Sequence, residues 1–146
     1  MKALIWHCKK FNMGNSKPTK KFNCVDFEIT NIFEKNVLAI FISIENIGDT
    51  AYFFDLLSDL KKLSLRFDTN KIIIIPFVHF ITKIPPIKEA FEVINKFYAF
   101  LAYEGYVVKK AHFGSSKDIE LMSPSDPFQV VFRSYPSEVN FKSKKN

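Results

Sequence analysis

The chain has 146 residues, of which 47% are hydrophobic and 25% charged, a balance that suits one folded domain and excludes a disordered or low-complexity polymer. Its formal net charge is +6, with 21 Lys and Arg against 15 Asp and Glu. Almost all of the cations are Lys, which favours diffuse attraction to phosphate over bidentate reading of bases, so a nucleic-acid or nucleotide partner is compatible with the charge although solvated lysines also serve solubility. Its 17 Phe are read mainly as packing, with base stacking as the alternative.

Residues 2–8 form a short apolar run and predict a first strand. Residues 9–22, with Gly14, Pro18 and five lysines, predict an exposed loop. Residues 25–30 alternate well enough for a second strand. Residues 36–45 (NVLAIFISIE) are rich in β-branched residues and predict a strong strand.

Ile47, Gly48, Asp49 and Thr50 offer a turn and an N-cap. The helix after it gathers Phe53, Phe54, Leu56, Leu57, Leu60, Leu63 and Leu65 mainly on one face. Residues 71–80 (KIIIIPFVHF) contain four consecutive Ile, as in a strand covered on both sides. Pro76 cannot donate a ladder hydrogen bond, so pairing must loosen there and release backbone groups for binding. Pro85 and Pro86 open a second helix over 87–103, stopped by Gly105. Shorter strands are predicted at 106–111, 118–122 and 128–133. Residues 112–117, with Gly114 among polar neighbours, read as a loop, and residues 141–146 as a mobile basic tail or the start of a linker. The whole, residues 1–146, reads as one compact α/β domain.

Cys8 and Cys24 are too few for a disulfide scaffold, and with His7, His79 and His112 they show no metal-ligand spacing; neither metal nor cofactor is expected. Successive strand residues point to opposite faces, so His7 and Cys8 do not make a nucleophile–base pair, and Cys8 reads as a buried thiol. No apolar run reaches the roughly 18 residues of a membrane span, and the N-terminal run is too short for a signal peptide. The cytoplasm is the expected compartment.

Two residues invite chemistry. His79 comes after a buried strand and a proline, where it can hold a water or polarise a carbonyl; a core histidine satisfied by backbone is the plainer alternative. Lys117 comes after Gly114, Ser115 and Ser116, a spacing that can direct an ammonium and backbone N–H groups at an anion. Its alternative is a solvated loop lysine, since no G-x-x-x-x-G-K-[ST] phosphate loop is present.

Taken in order, Ile75-Pro76-Phe77-Val78-His79, Asn95-Lys96-Phe97-Tyr98, Glu104-Gly105-Tyr106, Ala111-His112-Phe113-Gly114 and Lys117 resemble the N-terminal editing domain of archaeal threonyl-tRNA synthetases. That family's pattern is Tyr-Pro-Phe-Ala-His, Asn-Arg-Val-Tyr, Arg-Gly-Phe, Ala-Pro-Phe-Gly and a lysine. Residues 1–7 and 39–45 resemble its first strand and a central one. The resemblance implies a mixed, barrel-like sheet with two main helices, related to D-aminoacyl-tRNA deacylases. It further implies hydrolysis of L-serine wrongly esterified to threonine tRNA, assisted by the terminal ribose.

By position, the resemblance assigns catalysis to Lys117 and His79. It assigns the substrate pocket to Pro76, Phe77, Val78, Ala90, Phe113, Gly114, Ser115 and Ser116, with Ala90 as the small wall and Phe113 and Gly114 facing the terminal adenosine. It implies the 3′ aminoacyl-adenosine end of tRNA as partner, a homodimer, and a synthetase catalytic module in cis or in trans. The chain departs from the family where Ser115 and Ser116 replace an aromatic pair, Val130 replaces an acid, Ser125-Asp126-Pro127 replaces Gly-His-Pro, and Cys8-Lys9 replaces Ser-Asp. These departures imply an altered pocket, and the rival reading is a non-catalytic relative that binds tRNA or a synthetase partner.

Overall fold

The computed structural model describes residues 1–18 and 31–136. The strand expected at 25–30, the end of the loop expected at 9–22 and the tail at 141–146 lie outside the described residues. The chain order is β1 (Lys2–Pro18), β2 (Ile32–Ser43), a 3-10 turn (Ile47–Tyr52), α1 (Phe53–Phe67), β3 (Lys71–Pro76), α2 (Ile87–Tyr103), β4 (Val107–Lys110), β5 (Ser115–Met122) and β6 (Val130–Ser134).

Among the described residues, six strands form one mixed sheet in the order β4-β3-β2-β1-β5, with β6 also paired to β1. β2, β3 and β4 run parallel, joined by α1 and α2 as crossovers, because parallel neighbours cannot be linked by a tight turn. β1 is antiparallel to β2 along one edge, and on its other edge to β6 near its start and β5 further on. The expected mixed sheet and two helices are present; among the described residues the sheet is open, with β4 and β5 at its ends, and does not close into a barrel.

Both helices pack on one sheet face. Ile5, Leu38, Ile40, Ile72 and Ile74 meet Leu56, Leu60, Val93, Ile94 and Phe97 there. The opposite face buries Cys8, Phe11, Ala39, Phe41, Ile73 and Ile75. The four consecutive isoleucines of β3 are all buried, as a strand covered on both faces requires.

Four local expectations are corrected. Residues 9–18 are not a loop: β1 continues because β2 pairs it as far as Met13 and β5 as far as Pro18, with Phe11 and Met13 buried and Lys9, Lys10 and Asn12 exposed. Pairing partners outweigh a turn-like composition. The N-cap is Asn46, one residue before the expected turn; its side chain accepts from Gly48 N at 2.8 Å, and it opens a 3-10 turn before the α-helix. The strand expected over 71–80 stops at Pro76, where the missing N–H ends the ladder. Ser115, Ser116 and Lys117, expected in a loop, are the first residues of β5.

Two charged clusters tie the ends of the sheet. The Met1 ammonium is buried against Glu45 Oε1 (2.6 Å), the Tyr135 carbonyl (3.1 Å) and Asp49 Oδ1 (3.3 Å). Asp49 also accepts from the Glu45 N–H at 2.7 Å. At the opposite end, Glu34 on β2 takes Lys109 of β4 at 2.6 Å and Lys71 of β3 at 3.3 Å. Burial opposes ionisation of Glu34, but the hydrogen bonds from Lys109 and Lys71 outweigh it and hold the carboxyl below its ordinary range.

Candidate active site

Pro76 ends β3, and the residues after it are clamped to β2. The Phe77 N–H donates to the Ile42 carbonyl at 2.9 Å, and the Ser43 hydroxyl donates to the Phe77 carbonyl. Lys2 Nζ donates to the Phe80 carbonyl at 3.4 Å. Residues 77–79 are thereby carried over the carboxyl ends of the parallel strands, the usual binding edge of such a sheet.

A second segment reaches the same edge from β4. Gly114 holds a φ of +74°, a left-handed turn that a side chain resists, and redirects the chain into β5. Phe113, immediately before it, is buried in the helical core with its ring edge-on to Phe91 at 5.6 Å. Lys117 is half-buried, and its Nζ donates to the Ser115 carbonyl at 2.9 Å.

The two segments enclose a cleft of about 480 Å³, lined by residues 75–79, 113–117 and Ile119. Nine of the ten residues singled out from the sequence therefore share one mouth: Pro76, Phe77, Val78, His79, Phe113, Gly114, Ser115, Ser116 and Lys117. The tenth, Ala90, lines an adjoining chamber of about 420 Å³ that shares Pro76, Phe77, Val78 and Phe113 with the cleft. His79 is exposed at the mouth, its ring edge-on to Phe77 at 4.8 Å, so it is not a core histidine.

Beyond Ala90 and the four residues shared with the cleft, the walls of the adjoining chamber were not singled out from the sequence. Its walls add Ile42 from β2 and Ile44 just after it, Ile84, Pro85 and Pro86 before α2, and Ile87 and Ile94 on it. Every lining side chain is apolar, so any hydrogen bond made inside must use the backbone. Ala90 holds the space open because its side chain ends at Cβ; it is only 8% exposed. The one sequence signal was Pro85-Pro86, which fixes an extended entry to the helix: Pro86 has ψ 136° and its carbonyl accepts from Glu89 and Ala90 N–H.

Ser115 supplies an unusual polar element. Its hydroxyl oxygen is buried at the cleft, and no group among the described residues hydrogen-bonds to it. Such an oxygen costs about 1–3 kcal/mol until something bonds to it. Val130 lies on β6 opposite Trp6 and lines neither the cleft nor the chamber. Cys8 is fully buried, its Sγ directed at the Trp6 carbonyl, and burial pushes the thiol up to about 12. No cluster of three or more His, Cys, Asp or Glu among the described residues is placed to hold a metal ion. No described helix is long and apolar enough to cross a membrane.

The open α/β sheet and a cleft at its parallel-strand edge coincide with a family match. The family model for the archaea-specific editing domain of threonyl-tRNA synthetase matches residues 1–135. The chain belongs to that family. It is 26% identical over 136 residues to a threonine–tRNA ligase of Nanoarchaeum equitans, an alignment covering 91% of this chain and 21% of the relative. It is 27% identical over 114 residues to a threonine–tRNA ligase of Thermococcus kodakarensis, covering 75% of this chain and 18% of the relative. The chain thus spans about a fifth of the length of these curated relatives. Its family supports a role in tRNA editing.

Proposed function

We propose that the domain hydrolyses the ester of L-serine mischarged on threonine tRNA. The observation that supports this most is the single mouth shared by residues 76–79 and 113–117, opening onto a chamber walled by Ala90. A synthetic site separating threonine from serine works with one methyl group, worth about 1–3 kcal/mol. A second, hydrolytic site that admits only the smaller acyl group supplies the missing selectivity.

In this reading the terminal adenosine lies against the backbone of Phe113 and Gly114, and His79 borders the amino acid. A water oxygen bonds to the ester carbonyl carbon. The carbon–oxygen bond to the ribose breaks, and the ribose hydroxyl leaves with the proton; its neighbouring hydroxyl assists. Lys117 stabilises the charge that develops on the carbonyl oxygen. The buried Ser115 hydroxyl, which the fold leaves unbonded among the described residues, is a ready partner for a polar group of the substrate or the attacking water.

The same reading takes tRNA as the partner, the cytoplasm as the compartment and a synthetase catalytic module as the supplier of mischarged substrate, in cis or in trans. A homodimer is part of the proposal, supported by the exposed apolar side chains of Phe128, Val130 and Phe132. The test is hydrolysis of seryl-tRNA and threonyl-tRNA, both on threonine tRNA, beside a no-protein control and Lys117→Ala. Selective loss of serine, slowed in the variant without a change in melting temperature, supports the proposal. Binding of tRNA with neither ester cleaved favours the non-catalytic alternative, which the serines in place of the family's aromatic pair would then explain.

A further inference from the structure

Outside the cleft, one lysine is held in an unusual way. Lys110, the last residue of the edge strand β4, is half-buried, and its ammonium donates to the Asn95 side-chain carbonyl. The same ammonium lies 5.4 Å from the Phe91 ring centroid and 5.9 Å from that of Tyr98. Its neighbour Lys109 is neutralised by Glu34, and Lys96 pairs with Glu92. No carboxylate among the described residues pairs with Lys110. A neutral amide and two rings thus fix a cation without cancelling its charge.

Phe91, Asn95 and Tyr98 are spaced four and three residues apart and form one stripe along α2 facing β4. The stripe is continuous with the cleft, since the Phe91 ring meets Phe113, and Phe113 lines the mouth. Tyr98 is 39% exposed at the far end, with ring surface accessible to a ligand. An oriented cation and an open aromatic ring leading away from a nucleotide site are the two elements that bind single-stranded nucleic acid.

We propose that the Phe91–Lys110–Tyr98 surface is the track for the single-stranded RNA nucleotides just upstream of the terminal adenosine, with Lys110 taking a backbone phosphate and Tyr98 stacking a base. It rests on the reading that the terminal adenosine occupies the cleft. The track holds the unpaired end in line with the cleft and lets affinity come from nucleotides that carry no amino acid.

The experiment uses the whole chain and two probes: a short single-stranded RNA ending in CCA, and the serine ester of adenosine, which has no upstream nucleotides. Lys110→Ala is expected to weaken RNA binding several-fold and to reduce the salt slope by about 0.7, one single-strand phosphate contact. Tyr98→Ala is expected to lose about tenfold, whereas Tyr98→Phe keeps the stack and binds as the parent does. With seryl-tRNA both alanine variants raise KM and leave kcat unchanged; with seryl-adenosine neither parameter moves. Lys110→Gln, which keeps length and hydrogen bonding, repeats the charge test if the alanine variant loses fold. RNA affinity and salt slope unchanged in a folded Lys110 variant overturn the proposal, as does duplex RNA competing as well as the single strand. Absence of ester hydrolysis by the parent chain contradicts the editing reading alone, because the RNA-binding comparison still decides the track.

Discussion

Replacing Ala90 by Leu sets stability against function at one position. The Ala90 side chain is nearly buried and faces a chamber of about 420 Å³ with apolar walls, so the three added carbons enter existing space. At about 0.8 kcal/mol per buried methylene the gain is at most about 2 kcal/mol. Ordering the leucine side chain costs about 0.5–1 kcal/mol, and the chamber opens to solvent, so a net gain of about 1 kcal/mol is expected. For a chain of this size that raises Tm by roughly 2–4 °C. The same carbons narrow the space proposed for the acyl group, where a single methylene discriminates by about 10–200-fold, so seryl-tRNA hydrolysis should fall by at least tenfold. Thermal melts and single-turnover deacylation measure the two effects on one sample. A drop in Tm of several degrees would mean overpacking and no usable space beside Ala90. Unchanged hydrolysis in a stabilised variant would mean that the chamber does not hold the acyl group.

The charged and buried groups give three further expected outcomes. Asp49→Ala leaves the buried Met1 ammonium and the Glu45 N–H short of a partner, and should cost about 3 kcal/mol in a urea titration; a loss under 1 kcal/mol would contradict the role given to that cluster. Glu34→Gln should cost about 1 kcal/mol at neutral pH after solvent screening. Because the folded carboxyl titrates below its ordinary range, this contribution is present above about pH 4.3 and disappears as Glu34 protonates on further acidification; a difference that persists at pH 2 would refute the ion-pair account. Cys8, with its thiol pushed up to about 12, should resist alkylation at pH 8.5 in a Cys24→Ser background until the protein unfolds. Since its folded value is raised, its contribution to stability is complete below about pH 8.5 and declines as the pH rises above that; rapid labelling of the folded chain would contradict its burial.

Elements whose residues agree with their surroundings were legible in the sequence. The isoleucines of β3 announce themselves by composition and most of the α1 face by its period, although Phe54 and Leu65 turn out exposed, and Gly105 ends α2 as expected. Its φ of +93° lets Tyr106 N–H reach the Leu101 carbonyl and its own N–H reach Ala102. The second half of β1 was not legible, since Lys9, Lys10, Gly14, Lys17 and Pro18 resemble a loop until β2 and β5 are known to flank it. His79 and Lys117 stood out by their positions after a proline and a glycine-serine turn, but only resemblance to a family set them above a core histidine and a solvated lysine. That they meet at one mouth depends on two parallel crossovers bringing residues nearly forty positions apart to the same sheet edge, which no local pattern encodes. The rest of the apolar chamber was hidden for a related reason: Ile84, Pro85 and Pro86 lie in irregular chain, where hydrophobic period carries no information. Lys110 was equally silent, because a lysine beside aromatic rings and one in open solvent read the same as letters.

The most direct test of the central claim is a paired deacylation time course on threonine tRNA, one sample charged with serine and the other with threonine, with Lys117→Ala alongside. The account predicts rapid loss of serine, retention of threonine and slowed serine loss in the folded variant. Equal survival of both esters at the rate of the no-protein control, from a folded sample that still binds the tRNA, would contradict it.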